Sequence, residues 1–200
     1  MSLRLFIGPM FAGKSTRVLT IVRRFQSVRR NVCIITHSLD TRYTSTPALV
    51  SHDHQKLPAL AGATLMPFLT TPEFANCALL VIEEAQFFPD LVEFVDLAVD
   101  THKKHVVVVG LDGDSERRPF GDILRLVPKC DSVEKLMALC TLCGDGTEAP
   151  FTFSRKEAVS ESVPVVGADE TYMPLCRKHY LEQRFPRARK ESIDMFRHGC

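Results

Sequence analysis

Gly8-Pro9-Met10-Phe11-Ala12-Gly13-Lys14-Ser15 fulfils the pattern G-x-x-x-x-G-K-[ST] at every defined position. Leu3 to Ile7, just before it, is an apolar run of strand length. After Lys14, Val18, Ile21, Val22 and Phe25 recur at helical spacing, with Arg17, Arg23 and Arg24 on other faces. A strand, a glycine-rich turn and a helix in that order surround one anion with backbone N–H groups and the positive end of the helix. The glycines let the chain turn inward around phosphate oxygens. In such a loop the lysine, here Lys14, reaches the β- and γ-phosphates, and the hydroxyl, here Ser15, ligates Mg²⁺.

The pattern continues outward from that loop. Val32 to Thr36 and Ala78 to Ile82 read as buried strands, and Ala63 to Phe68 as a third, interrupted by Pro67. His105 to Leu111 holds four consecutive valines, the run of a strand covered on both faces. Pro89 to Thr101 reads as a helix with Leu91, Val92, Val95 and Val99 on one stripe, and Pro89 and Asp90 suit its start. Strands alternating with helices at this spacing predict an α/β fold, a P-loop parallel sheet flanked by helices. From His37 to Gly62 the periodicity dissolves into Ser, Thr, Asp, His and Pro, as in a functional loop.

A P-loop nucleotide site needs an acid near its metal at the end of another strand. Ala78 to Ile82 delivers Glu83 and Glu84 to such a place. One carboxylate can orient Mg²⁺ or its waters, and the other can take a proton from an acceptor alcohol. Adjacent residues on a pleated strand face opposite ways, so two separate roles are expected of them.

Composition changes after Val133 to Leu139, and a boundary is placed near Cys140. The expected organisation is a nucleotide-binding domain over 1–139, a zinc-binding domain over 140–182 and a tail over 183–200. Seven cysteines occur in a chain that shows no secretory signal pattern, so clustered ones point to a metal rather than to disulfides. Cys140-Thr-Leu-Cys143 and Cys176-Arg-Lys-His179 are two ligand pairs, each with two residues between. Cys₃His is a structural zinc set that leaves no open position for catalysis. Cys33 reads as a core residue, and Cys77, Cys130 and Cys200 lack ligand-spaced partners. His52-Asp53-His54 lies in the polar loop without a third ligand nearby and is read as solvated or as part of a substrate loop.

With 200 residues, 45% of them hydrophobic and 24% charged, the chain reads as one well-buried domain with a small appendage. The net charge of +1 lacks the basic excess of a nucleic-acid binder. The basic cluster Arg184, Arg187, Arg189 and Lys190 is offset by Glu182 and Glu191 and reads as a solvated tail. No apolar run is long enough to span a bilayer, so no membrane partner is expected and the cytoplasm is the default location.

Four segments together carry a resemblance: Gly8 to Thr16, Asp40-Thr41-Arg42-Tyr43, Glu84-Ala85-Gln86-Phe87-Phe88-Pro89-Asp90, and Arg118-Pro119-Phe120-Gly121. In sequence and order they resemble the type II (cytosolic) thymidine kinase family, from the start of the chain to about Tyr180. The resemblance implies a thymidine 5′-phosphotransferase using ATP, with Glu84 as catalytic base and Lys14 and Arg42 assisting it. Glu83 matches a Mg²⁺-side position that is usually Asp. The resemblance puts Gly8, Pro9, Met10, Phe11, Ala12, Gly13, Lys14, Ser15, Thr16 and Asp40 at the nucleotide phosphates. Met10, Gln86, Phe87, Leu111, Phe120, Thr152, Val163 and Tyr172 match positions around the thymine ring or the loop closing over it. That loop, pinned at its base by zinc, belongs to the second domain. The family is a homotetramer inhibited by thymidine triphosphate. Ser115 departs from it, standing where relatives often carry an aromatic residue.

Two other readings remain open from the residues alone. The P-loop does not exclude a kinase for another nucleoside. A nucleotide-switched module with a nucleic-acid-binding knuckle is disfavoured by the charge and by the lack of interleaved aromatic and basic residues in the zinc segment.

Overall fold

Within each central strand, alternate side chains enter different cores, because successive residues on a pleat point to opposite faces. The computed structural model describes residues 1–39, 48–50, 56–155 and 171–185. Along them run β1 (Ser2–Ile7), α1 (Lys14–Ser27), β2 (Val32–His37), β3 (Ala48–Val50), β4 (Lys56–Pro58) and β5 (Leu60–Gly62). Then come α2 (Pro72–Asn76), β6 (Leu79–Ile82), α3 (Leu91–Asp96), β7 (His105–Gly110) and β8 (Ser132–Lys135). Six strands form one sheet in the order β5-β2-β6-β7-β1-β8, and every pairing in it is parallel.

On one face Leu3, Leu5 and Ile7 of β1, Leu80 and Ile82 of β6, and Val106 and Val108 of β7 meet Leu91, Phe94, Val95 and Ala98. On the other, Phe6, Leu79, Val81, Val107 and Val109 meet Val18, Leu19, Ile21 and Val22 of α1. The valine run of β7 is explained by this double burial. The parallel sheet with helices on both faces is the architecture expected from the sequence.

Three local expectations are corrected. The predicted strand over Ala63 to Phe68 is instead a 3₁₀ turn over Met66–Thr70, and the strand lies earlier, at β5. Pro67 explains the difference: its fixed φ suits the start of a helical turn, and it has no N–H to give a sheet. Within the predicted helix, Phe94 and Ala98 are buried, whereas Val92 and Val99 are only partly so. The stripe 91/94/95/98 follows the i, i+3, i+4, i+7 spacing of one helix face. The helix start at Leu91 agrees with the sequence, but the Asp90 side chain does not cap it. Its carboxylate accepts from the N–H of Leu65 (2.8 and 3.0 Å) and of Met66 (2.8 Å), tying the 3₁₀ turn to the helix start. The polar stretch His37 to Gly62, read without regular structure, contains β5 and the antiparallel pair β3 and β4.

Beyond β8, β9 (Ala138–Leu139) pairs with β10 (Glu148–Ala149), and β11 (Phe151–Ser154) with β12 (Tyr172–Leu175), both antiparallel. α4 (Arg177–Arg184) follows. Ala138, Cys140, Ala149, Leu175, Cys176 and Tyr180 form a small core of their own, against which Phe11 and Ala12 of the glycine-rich loop pack. The Arg117 guanidinium lies 4.6 Å from the Tyr180 ring centroid and 5.3 Å from that of Phe151, within cation–π range of both. The Tyr180 hydroxyl donates to Ser115 O at 2.7 Å, and Arg184 pairs with Glu116. The turn after β7 is thus tied to α4. Among the described residues no helix is long and apolar enough to cross a membrane.

Candidate nucleotide and nucleoside site

β1 ends at Ile7, and the chain turns at Gly8, whose φ is 145°. A Cβ there would overlap the Leu136 carbonyl oxygen, so glycine is required for space as well as for dihedral freedom. Gly13 is left-handed, with φ 75°, immediately before α1 begins at Lys14. Lys14 Nζ donates to Gly8 O (3.2 Å) and Pro9 O (2.6 Å), which holds the ammonium across its own loop. A cation held by two carbonyls there can exchange them for phosphate oxygens, with the helix N-terminus favouring the same negative charge. Ser15 lies in the first turn of α1.

Glu83 and Glu84 follow β6, on the same carboxyl side of the parallel sheet as the loop after β1. Glu83 is buried, and its N–H donates to Ile35 O at 2.8 Å. Glu84 is half-buried and left-handed, with φ 51° and ψ 41°. The sequence expectation was that pleat alternation separates the two acids; the structure separates them by this reversal instead. A non-glycine residue in that region costs about 1–3 kcal/mol, which surrounding contacts must offset. Gln86, also buried, donates from Nε2 to Glu84 Oε2 at 2.6 Å and accepts on Oε1 from the Leu111 N–H at 3.0 Å.

Phe87 meets Phe120 edge to face at 5.3 Å between centroids. The Met10 N–H donates to the Thr152 hydroxyl at 3.0 Å, which links the glycine-rich loop to β11. Tyr172 lies opposite Ser154 in the β11–β12 pair, and burial pushes its phenol above the ordinary range. Contacts therefore join the candidate pocket residues in three groups: Met10 with Thr152, Phe87 with Phe120, and Gln86 with Leu111. Asp40, Arg42 and Val163, and the His52-Asp53-His54 motif, lie outside the described residues.

Two features near this site escaped the sequence reading. His37, buried at the end of β2, stands 5.6 Å from the Phe87 ring and 4.9 Å from that of Phe88, and its Nδ1 accepts from the Leu39 N–H at 3.2 Å. Its position at a strand's carboxyl end, where sites gather in parallel sheets, was the available signal. Asp112 and Lys135 form a 2.6 Å ion pair. Ile7 pairs with both Gly110 and Lys135 in register, so this ion pair spans the end of β1 just before Gly8. Nothing local in the sequence announces it.

Cys140, Cys143, Cys176 and His179 come together as the sequence predicts, with all four ligand atoms within 4.8 Å of one another. His179 Nδ1 is 3.4, 3.3 and 3.5 Å from the sulfurs of Cys140, Cys143 and Cys176, and the last two sulfurs are 3.8 Å apart. Tetrahedral zinc with ordinary bond lengths requires sulfur–sulfur edges of about 3.8 Å and nitrogen–sulfur edges of about 3.5 Å. The cluster fits that ion. Burial opposes ionisation of the Cys140 thiol, but hydrogen bonds from backbone N–H groups, Cys176 foremost, and from His179 bring it down to about 6. Burial, reinforced by Cys140 and Cys176, pushes Cys143 up to about 11. Three cysteine sulfurs and an imidazole converging on one point suit a cation, whose binding would release the thiol protons. Cys33 is buried in the core, as expected.

A parallel sheet with a complete phosphate loop after β1, and paired acids at the end of β6 beyond β7, defines an α/β protein of the P-loop nucleotide-binding class. The model of the family described as Thymidine kinase matches residues 1–180. Over 90% of its length the chain is 43% identical to "Thymidine kinase" of Oryza sativa subsp. japonica, 41% to "Thymidine kinase a" of Arabidopsis thaliana and 38% to "Thymidine kinase, cytosolic" of Homo sapiens. It spans 66%, 75% and 74% of those relatives' own lengths. The chain belongs to the thymidine kinase family.

Proposed function

We infer that this chain transfers the γ-phosphoryl group of ATP to the 5′-hydroxyl of thymidine. The observation that carries the inference is the family match over residues 1–180, which takes in the phosphate loop, both acids and the cysteine/histidine cluster. In this reading the loop from Gly8 to Thr16 cradles the triphosphate. Lys14 leaves the Gly8 and Pro9 carbonyls and follows the charge that develops on the migrating group. Glu84 takes the proton of the 5′-hydroxyl as that group arrives. Met10, Thr152, Phe87, Phe120, Leu111 and Tyr172 line the base pocket; as the family resemblance suggests, Val163 joins them, Asp40 stands at the phosphates and Arg42 assists Glu84. Ser15 and Glu83 supply hard oxygen donors suited to Mg²⁺, which when bound neutralises phosphate charge.

The segment 140–182 is proposed as a zinc unit beside the nucleotide-binding part, 1–139, with the tail 183–200 beyond it. Cytoplasmic location, a homotetramer and inhibition by thymidine triphosphate are carried over as proposals from the family resemblance; the name of the human relative supports the first.

The decisive assay is ATP-dependent phosphorylation across a panel of nucleosides. Thymidine is expected to be turned over far better than any purine nucleoside, because a pocket walled by Phe87 and Phe120 excludes a larger ring by overlap. Deoxyuridine should be the best weak competitor, since one lost methyl contact is worth only about 1–3 kcal/mol. Equal rates with deoxyguanosine would reduce the reading to a nucleoside kinase of open specificity.

The purified protein is further expected to carry one zinc per chain. Cys140→Ser should lower its melting temperature and its thymidine affinity together, because β11, with Thr152 bonded to Met10, belongs to the small core that the metal closes. Fully active protein with no zinc by elemental analysis would reject the site.

A further inference from the structure

The side chain of Gln86 is enclosed on every side that matters to its orientation. A backbone N–H can only donate, so the Leu111 amide fixes which end of the Gln86 side chain is oxygen. Nε2 must then be the atom that meets Glu84 Oε2, and the carboxylate oxygen is held as an acceptor. Two glycines make the slot. A Cβ at Gly110, the last residue of β7, would overlap Gln86 Oε1, and one at Gly121 would overlap the Gln86 carbonyl oxygen. The left-handed turn at Glu84 starts the 3₁₀ turn over Ala85–Phe87, so that residues two apart in sequence face each other.

Resting on the reading of Glu84 as the proton acceptor, we propose that Gln86 is a positioning residue. It anchors the Glu84 carboxylate to the backbone of the chain leaving β7, rather than recognising thymine itself. A carboxylate on a reversed backbone after a strand end has several rotamers, of which one faces the reacting hydroxyl. The amide selects one of them through a neighbour that β7 holds rigid. The same bond tells Glu84 where Leu111 is, so base and pocket wall are set by one side chain.

The test is a double-substitution cycle on the full chain, with kcat and KM for thymidine measured separately. Gln86→Leu fills the slot without the amide and is expected to lower kcat by roughly 10²-fold. KM for thymidine and for ATP should change by less than about threefold. In a Glu84→Gln background the same Gln86→Leu change should cost less than about twofold more, because the group it acts through is gone. Gln86→Met, which keeps the chain length, is the second variant and should behave alike. Equal losses in both backgrounds overturn the proposal, since Gln86 would then act independently of Glu84. Raised thymidine KM at unchanged kcat in a folded variant also overturns it and returns Gln86 to the base pocket. Wild-type turnover in Glu84→Gln alone sinks the base reading instead, which keeps the two failures distinct.

Discussion

Glu84→Gln is expected to lower turnover by roughly 10²–10⁴-fold while leaving ATP affinity near its original value. A nucleoside 5′-hydroxyl is a weak nucleophile and must lose its proton as the phosphoryl group arrives. The substitution keeps the length and nearly the shape of the side chain, and its amide oxygen can still accept from Gln86 Nε2. The left-handed backbone at this position therefore gains no new strain, and a loss of activity would report lost basicity. Glu83→Gln should behave differently. Glu83 is buried beside β2 and is proposed on the metal side, so its loss should raise the Mg²⁺ concentration needed for half-maximal rate. Turnover against Mg²⁺ concentration for both variants checks the assignment. An active Glu84→Gln with a Glu83→Gln that no concentration of Mg²⁺ rescues would exchange the two roles.

Lys14→Ala is expected to remove turnover by roughly 10²–10³-fold or more, as the loss of a preorganised charge from a phosphoryl-transfer site does. The structure adds a second consequence. Lys14 Nζ is bonded to the carbonyls of Gly8 and Pro9, so the variant also loses an internal brace of the loop. Nucleotide affinity should fall along with kcat. Lys14→Arg keeps the charge but should restore turnover only partly, because a planar fork replaces a compact ammonium. Single-turnover phosphorylation with saturating ATP separates the two effects. Near-normal turnover in folded Lys14→Ala protein would remove Lys14 from the chemistry.

What could be read in advance follows from how far each feature reaches along the chain. The phosphate loop is a local demand on eight consecutive residues, and Gly8, Gly13 and Lys14 stand where that demand puts them. The cysteine/histidine cluster is local in the same way: two residues between Cys140 and Cys143 bring both thiols to one point, where a metal ion could bind. The buried strands were legible because β6 and β7 are apolar on both faces. β8, with Ser132, Glu134 and Lys135 at the sheet edge, carries no such signal. The left-handed backbone at Glu84 was illegible because no glycine marks it; contacts from Gly110, Leu111 and Gly121 with Gln86 settle the turn beside it. The docking of Arg117 on Phe151 and Tyr180 needed rings from distant segments, which no spacing rule brings together.

The strand order also bears on how the chain reaches its native state. β1 has two neighbours, β7 and β8, and the Leu3 N–H is held by the Asp131 carboxylate at 2.6 Å, 128 positions further on. On a ribosome adding roughly 5–20 residues per second, β1 waits several seconds for its partners to emerge. Throughout that interval Leu3, Leu5, Phe6 and Ile7 have no sheet to join, and the loop they position cannot take shape. The nascent chain thus carries an unpartnered apolar segment through most of its synthesis, and the loop after β1 takes its shape only once β7 and β8 have emerged.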